Sequence, residues 1–245
     1  MEDILVVSNL DKHFGGLQAV QDLSFSVKEH EILGLIGPNG AGKTTTFNLI
    51  AGFYPSDSGE VLFSGKDITG LRADQICQMG ICRTFQVARP FSNMTALENS
   101  MTGAFCHTSH VHEAEDIALH WLEFVGLADR RNDLARNMTT INQRRLELAR
   151  SLSTRPAVLL MDETMAGLTP TEVDVAIELI ARVRDSGVTI IVVEHVMRAI
   201  MSISERIVVL DGGEKIAEGT PEEISQNETV IRAYLGEGYR HARTA

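Results

Sequence analysis

"EILGLIGPNGAGKTTTFNLI", residues 31–50, is the stretch on which the fold turns. It opens as an apolar run that breaks into glycines, and a helix is expected to begin near Gly42. Gly37, Pro38, Asn39, Gly40, Ala41, Gly42, Lys43, Thr44 and Thr45 fit the spacing Gly-x-x-x-x-Gly-Lys-Thr between a strand and a helix, as that motif requires. Glycines let backbone N–H groups turn inward around phosphate oxygens, and the helix start adds its own unpaired N–H groups and the positive end of its dipole. Lys43 is placed to reach the β- and γ-phosphates, and the Thr44 hydroxyl to hold Mg²⁺. The stretch reads as a phosphate site.

Working outward, "AVLLMDE" (157–163) and "VTIIVVEH" (188–195) are buried-strand runs, with helical "TEVDVAIELIARVR" between them. Strand–helix–strand in that order predicts a parallel sheet with right-handed crossovers. The first run ends in two carboxylates: Asp162 is expected to bind Mg²⁺ through water, and Glu163 to take a proton from an attacking water. His195 ends the second run, on the side of the sheet where ligands of open α/β sheets sit. There it could hydrogen-bond a γ-phosphate and hold Glu163 and water in line.

Residues 4–8, 23–27 and 59–68 read as further strands, "ERIVVLDGGEKIAEG" as a hairpin turning at Asp211-Gly212-Gly213, and "TPEEI" as a helix start capped by Thr220. From about 71 to 152 the periods are mostly helical; in "EAEDIALHWLEFVGL", Ala114, Ile117, Ala118, Trp121, Leu122 and Val125 share one packing face.

The chain has 245 residues, enough for one large domain with a sizeable core, and a formal charge of −11. That charge argues against life on nucleic acid or anionic lipid, so no nucleic-acid partner is expected. Cys77, Cys82 and Cys106 are odd in number and lack Cys-x-x-Cys spacing, which reads as reduced, cytosolic thiols without a metal. No stretch approaches the roughly 18 apolar residues that cross a bilayer, so any membrane partner lies in another subunit.

Several features together resemble the ATPase subunits of ABC transporters. Gln86 in "RTFQVARPF" resembles the family's glutamine loop, "MDETMAGLTP" the second acidic motif with the loop that crosses the dimer interface, "EHVM" the histidine switch, and Phe14 in "KHFGGLQAV" the aromatic residue that stacks on adenine. "FGGLQAV", "GPNGAGKTTTFNLIAGFYPSDSG", "RTFQVARPFSNMTALEN", "QRRLELARSL" and "EEISQNETVIRAYLGEG" are similar to the branched-chain amino acid importer (LivG-type) branch. The resemblance implies an α/β P-loop NTPase (RecA-like) core with an antiparallel β subdomain and a helical insertion, in a single domain over 1–245. It assigns 1–86 and 153–245 to the nucleotide-binding core and 87–152 to the helical subdomain.

By the same resemblance the chain is an ATPase that uses ATP and Mg²⁺, with Gln86 sensing metal and γ-phosphate. It works as one of two such subunits beneath two transmembrane permease subunits, on the inner face of the cell membrane, and indirectly with a solute-binding protein. The segment Val87–Glu98, with Arg89 and Phe91, is the candidate permease contact. Two other readings are a non-transport ABC ATPase and a regulatory subunit that hydrolyses little; the first would carry coiled coils or a second cassette, and neither is present.

The signature position departs from the family's Leu-Ser-Gly-Gly-Gln pattern. It carries Met138, Thr139, Thr140, Ile141 and Asn142, followed by Gln143. A β-branched Ile141 where glycine is usual should block close backbone approach to phosphate. An impaired signature faces only the partner's nucleotide in a heterodimer, so a second, distinct ATPase subunit is expected. Thr164 also replaces a usual proline, and Val196 a usual aspartate.

Overall fold

The computed structural model describes residues 2–85 and 89–235. In chain order the first elements are β1 (Asp3–Phe14), β2 (Leu17–Lys28), β3 (Ile32–Ile36), α1 (Lys43–Ile50), β4 (Ser58–Phe63) and β5 (Lys66–Asp67). There follow α2 (Ala73–Met79), β6 (Ile81–Arg83), α3 (Ala96–Ala104), α4 (Val111–Phe124), α5 (Thr140–Ser153), β7 (Val158–Asp162) and α6 (Pro170–Asp185). The chain ends with β8 (Thr189–Val193), α7 (Met197–Ile203), β9 (Arg206–Asp211), β10 (Glu214–Gly219), α8 (Pro221–Gln226) and α9 (Glu228–Leu235). Two compact units emerge: residues up to 72 together with those from 189 onward, and residues 73–188.

The first unit contains an antiparallel sheet in the order β2-β1-β4-β5 and a second run of strands in the order β10-β9-β3-β8. In the second run β3 lies parallel to both β8 and β9, and β10 pairs antiparallel with β9. Every residue of β3 and β8 is buried, the near-continuous apolar pattern of a sheet covered on both faces. β1 and β2 run well beyond 4–8 and 23–27. Register shifts after Asp3, Val7, Leu10 and Lys12 reset the in–out alternation, so a period-2 count sees only fragments of each strand. The expected hairpin is present: Asp211 pairs with Glu214 across Gly212 and Gly213, both at positive φ, which matches the twist of the flanking strands.

The second unit contains β6 parallel to β7 and the helices α2 to α6. In α4, Ala114, Ala118 and Leu122 are buried, and Val125 just past its end is buried too. Trp121 stands on the border of that face with edge contacts to His120 at 4.9 Å and Phe124 at 5.2 Å. The capping boxes Thr95/Glu98 on α3 and Thr169/Glu172 on α6 here, and Thr220/Glu223 on α8 in the first unit, each close two orphan N–H groups reciprocally. Among the described residues no helix is long and apolar enough to cross a membrane.

Candidate functional site

In the first unit the chain leaves buried β3 at Gly37 and enters α1 through Gly42, whose φ of 98° is left-handed backbone. A Cβ on Gly42 would lie 2.5 Å from the Ala19 carbonyl oxygen of β2, so only glycine fits there. A Cβ on Gly37 would meet the Leu210 carbonyl oxygen at 2.1 Å. These approaches pull the loop tight against its neighbours. The Lys43 side chain is 94% buried by the loop itself: Nζ donates to the carbonyls of Gly37 at 2.7 Å and Pro38 at 3.0 Å. A buried ammonium is tolerable only with such acceptors, and polyphosphate oxygens offer it stronger, charge-assisted ones. Asn39, Gly40 and Thr44 are exposed and Thr45 half-buried, while Ala41 sits beneath the loop.

Two features flank that loop within the same unit. Phe14 keeps 42% of its surface exposed, with its ring fixed by an edge contact to Tyr54 at 5.4 Å and by Lys12 Nζ 5.6 Å from the ring centre. Tyr234, on the last helix, receives the Gly37 backbone N–H, and burial still pushes its phenol above the ordinary value. His195 lies two residues beyond β8, exposed.

In the second unit Asp162 closes β7, 2% exposed. Its Oδ2 accepts from Arg83 Nη2 at 2.7 Å. Its Oδ1 is buried and has no partner among the described residues. An anionic oxygen left without a donor is what a hard cation such as Mg²⁺ takes, so the residue fits the metal expected of it. Glu163 follows at φ 48°, backbone that costs a non-glycine residue about 1–3 kcal/mol and clusters where a side chain must be aimed.

The signature stretch opens α5 in the same unit. Thr139 is its N-cap and accepts the Asn142 N–H at 3.4 Å, Thr140 is its first residue, and Gln143 Nε2 donates to the carbonyls of Ala135 and Met138. Ile141 lines a cleft with Leu148, Met161, Thr164, Leu168 and Glu172. Arg144 reaches from that cleft to the Ala166 carbonyl at 2.6 Å.

Residues 20–166 match the family model described as ABC transporter. The chain belongs to the ABC transporter ATPase family. Residues 214–240 of this ABC ATPase match a second model, described as branched-chain amino acid ATP-binding cassette transporter. It is 43% identical to the high-affinity branched-chain amino acid transport ATP-binding protein BraF of Pseudomonas aeruginosa, over 96% of this chain and 98% of that one. Identity to LivG of Escherichia coli K12, described in the same words, is also 43%, over 96% and 99%. The lipopolysaccharide export system ATP-binding protein LptB of the same organism is 35% identical over 96% and 98%. A crystal structure of an ATP-binding cassette of an ABC transporter in its ADP conformation superposes with a TM-score of 0.88 at 30% identity, covering 97% of this chain and all of that one.

In this ABC ATPase the glycine turn into α1, the acids at the end of β7, the helix start at Thr139 and the exposed Phe14 stand at the positions that sequence reading singled out. Gln86, with Val87 and Ala88 of the candidate permease segment, lies outside the described residues. Arg89 and Phe91 of that segment are exposed, Phe91 by 52%. Sequence reading missed Arg83 on Asp162, Tyr54 and Tyr234, and a hub at Asn99. The buried Asn99 amide accepts the Phe91 N–H at 2.7 Å and donates to the carbonyls of Phe91, Met94 and Thr95. Only the Arg83–Asp162 pair had a signal, a cation three residues before Gln86 in a chain with few buried charges. The replacements Thr164 and Val196 find no explanation in the structure.

Proposed function

We propose that this ABC ATPase energises an importer of branched-chain amino acids, on the cytoplasmic face of the cell membrane. The observation that carries the solute class is the match of residues 214–240 to the branched-chain cassette segment, which the names of the 43% identical relatives support. Two transmembrane permease subunits, a solute-binding protein and a second ATPase subunit complete the assembly. A solved dimer of a related cassette with ADP and phosphate, 25% identical at a TM-score of 0.79, supports pairing of two cassettes.

Phe14 stacks on the adenine ring, a contact worth about 1–3 kcal/mol for a base on an aromatic face. Backbone N–H groups from Gly37 to Thr45 surround the phosphates, and Lys43 exchanges its loop carbonyls for β- and γ-phosphate oxygens. Thr44, Asp162 and Gln86 hold Mg²⁺, which supplies positive charge to the phosphate oxygens. Glu163 accepts the proton of the attacking water, and His195 donates to the γ-phosphate. The residues 87–152 form the lobe that meets the permease, with Arg89 and Phe91 in the contact.

Reconstitution of the chain with its permeases, second ATPase and binding protein in vesicles tests the reading. ATP-dependent uptake of leucine, isoleucine or valine is expected, and Lys43→Ala should abolish it. Uptake of an unrelated solute class by that assembly, without these three, would overturn the substrate assignment and leave the ATPase assignment standing.

A further inference from the structure

The role given to Gln86 requires its loop to be presented in one place. Both flanks of that loop are tied to a single turn of α5. On the upstream side the Phe85 N–H donates to Glu147 Oε1 at 3.2 Å. On the downstream side Arg150 Nη1 donates to the Arg89 carbonyl at 3.1 Å. Glu147 and Arg150 are three residues apart on the helix and face each other, with Nη2 to Oε1 at 3.7 Å. The Arg150 guanidinium also lies 5.6 Å from the ring centre of Phe91.

We propose that Glu147 and Arg150 are positioning residues for the glutamine loop, gripping both of its flanks from the helix that begins with the signature stretch. The inference rests on the reading of Gln86 as a nucleotide-sensing residue. A helix that carries the signature at one end and the loop's clamp about two to three turns along carries any shift of its start to Phe85 and Arg89, on either side of the loop. Arg150 extends the same clamp to Phe91, so both flanks of the loop, the signature stretch and the candidate permease contact share one helix.

Glu147 is kept at a cost. It is 3% exposed, and desolvation pushes its carboxyl up to about 7 against the opposing pull of the Phe85 N–H, Arg150 and Arg144. Those two guanidinium groups are the charges that act on it among the described residues. A space-filling role alone would be served better by an apolar residue. A protonated Glu147 still accepts the Phe85 N–H through its carbonyl oxygen but loses its charge towards Arg150, so the grip loosens as pH falls through 7.

The test is steady-state ATPase activity of the assembled transporter, measured from pH 6 to 8.5. Glu147→Leu should lower kcat about 10-fold with the KM for ATP unchanged within about 2-fold, because displaced positioning groups cost turnover rather than binding. Glu147→Gln, which keeps an acceptor for Phe85, should recover most of that loss and erase the acid limb near pH 7. Arg150→Gln gives an independent arm should Glu147→Leu fail to assemble, with the same kcat-only loss expected. Gln86→Ala is run beside them. If it is impaired while Glu147→Leu and Arg150→Gln keep the parental kcat, the bracket is overturned alone. A Gln86→Ala transporter at the parental rate would overturn the glutamine's role and the bracket's purpose with it.

Discussion

The two helix starts to which the proposed chemistry is assigned, those of α1 and α5, are built in opposite ways. α1 begins from Gly42, in left-handed backbone and with no side chain closing its first turn. α5 begins from Thr139, whose hydroxyl takes the Asn142 N–H. Three further helices, α3, α6 and α8, are closed by Thr–Glu boxes. A helix start that is to receive a phosphate must leave its orphan N–H groups unsatisfied by the protein, whereas a side-chain cap takes one of them at once. In this chain the helix that opens with the signature stretch is capped, and it carries Ile141 where the family resemblance leads one to expect glycine. On the proposed reading the start of α1 is left open as a phosphate receptor, and the start of α5 is closed by its own cap.

That contrast can be attacked first where the expected effect is largest. Glu163→Gln in the assembled transporter should keep ATP binding and lower turnover by roughly 10²–10⁴, the worth of a general base, as read by single-turnover phosphate release. An unaltered rate would remove Glu163 from the reaction.

The sharper test acts on the signature. Ile141→Gly with Asn142→Gln should raise hydrolysis at the partner's nucleotide by up to about 10²–10³, the usual worth of one preorganised donor, and barely change hydrolysis of the nucleotide assigned to this chain's own phosphate loop. Single-turnover assays with each catalytic glutamate disabled in turn separate the two sites. Equal parental rates at both, or a robustly active homodimer, would end the asymmetric reading.

A smaller effect is expected in stability against pH. The folded state raises Glu147 from 4.5 to about 7, so between those values it holds a proton that the unfolded chain has released. The contribution of this residue to stability is therefore greatest below pH 4.5 and is lost as pH rises through 7. Glu147→Gln should be more stable than the parent at pH 8 by on the order of 2 kcal/mol, and the gap should close towards pH 5. Chemical denaturation at the two pH values measures it; a gap independent of pH contradicts the assignment. The smallest effect belongs to the cap: Thr139→Ala should cost about 1 kcal/mol in the same assay, and more than about 2 would mean that Thr139 does something beyond capping.

The legible parts of the molecule were those whose physics is local. A glycine spacing, a strand ending in two acids and a Thr-Pro-Glu-Glu helix start each state their conformation within a few residues. β1 and β2 were read too short because their bulges break the alternation on which strand reading depends. The bracket from Glu147 and Arg150 joins residues 62 and 61 positions apart, and the Asn99 hub, although it spans only eight residues, closes an irregular stretch with no period to read. Ile141 was legible as a departure, but not its place in a cleft between α5 and α6. The three cysteines lack Cys-x-x-Cys spacing, yet Cys82 and Cys106 both neighbour the Cys77 thiol and push its pKa up, a proximity that composition does not encode.

Trp121 gives the molecule an optical asymmetry. It is the chain's single tryptophan, and it stands in α4 with its indole against the rings of His120 and Phe124. Excitation at the red edge of protein absorption therefore interrogates the helical unit alone, with no emitter in the unit that contains the phosphate loop. At a fixed, neutral pH, a change in that emission upon adding ATP would be a label-free report that events at Lys43 have reached α4.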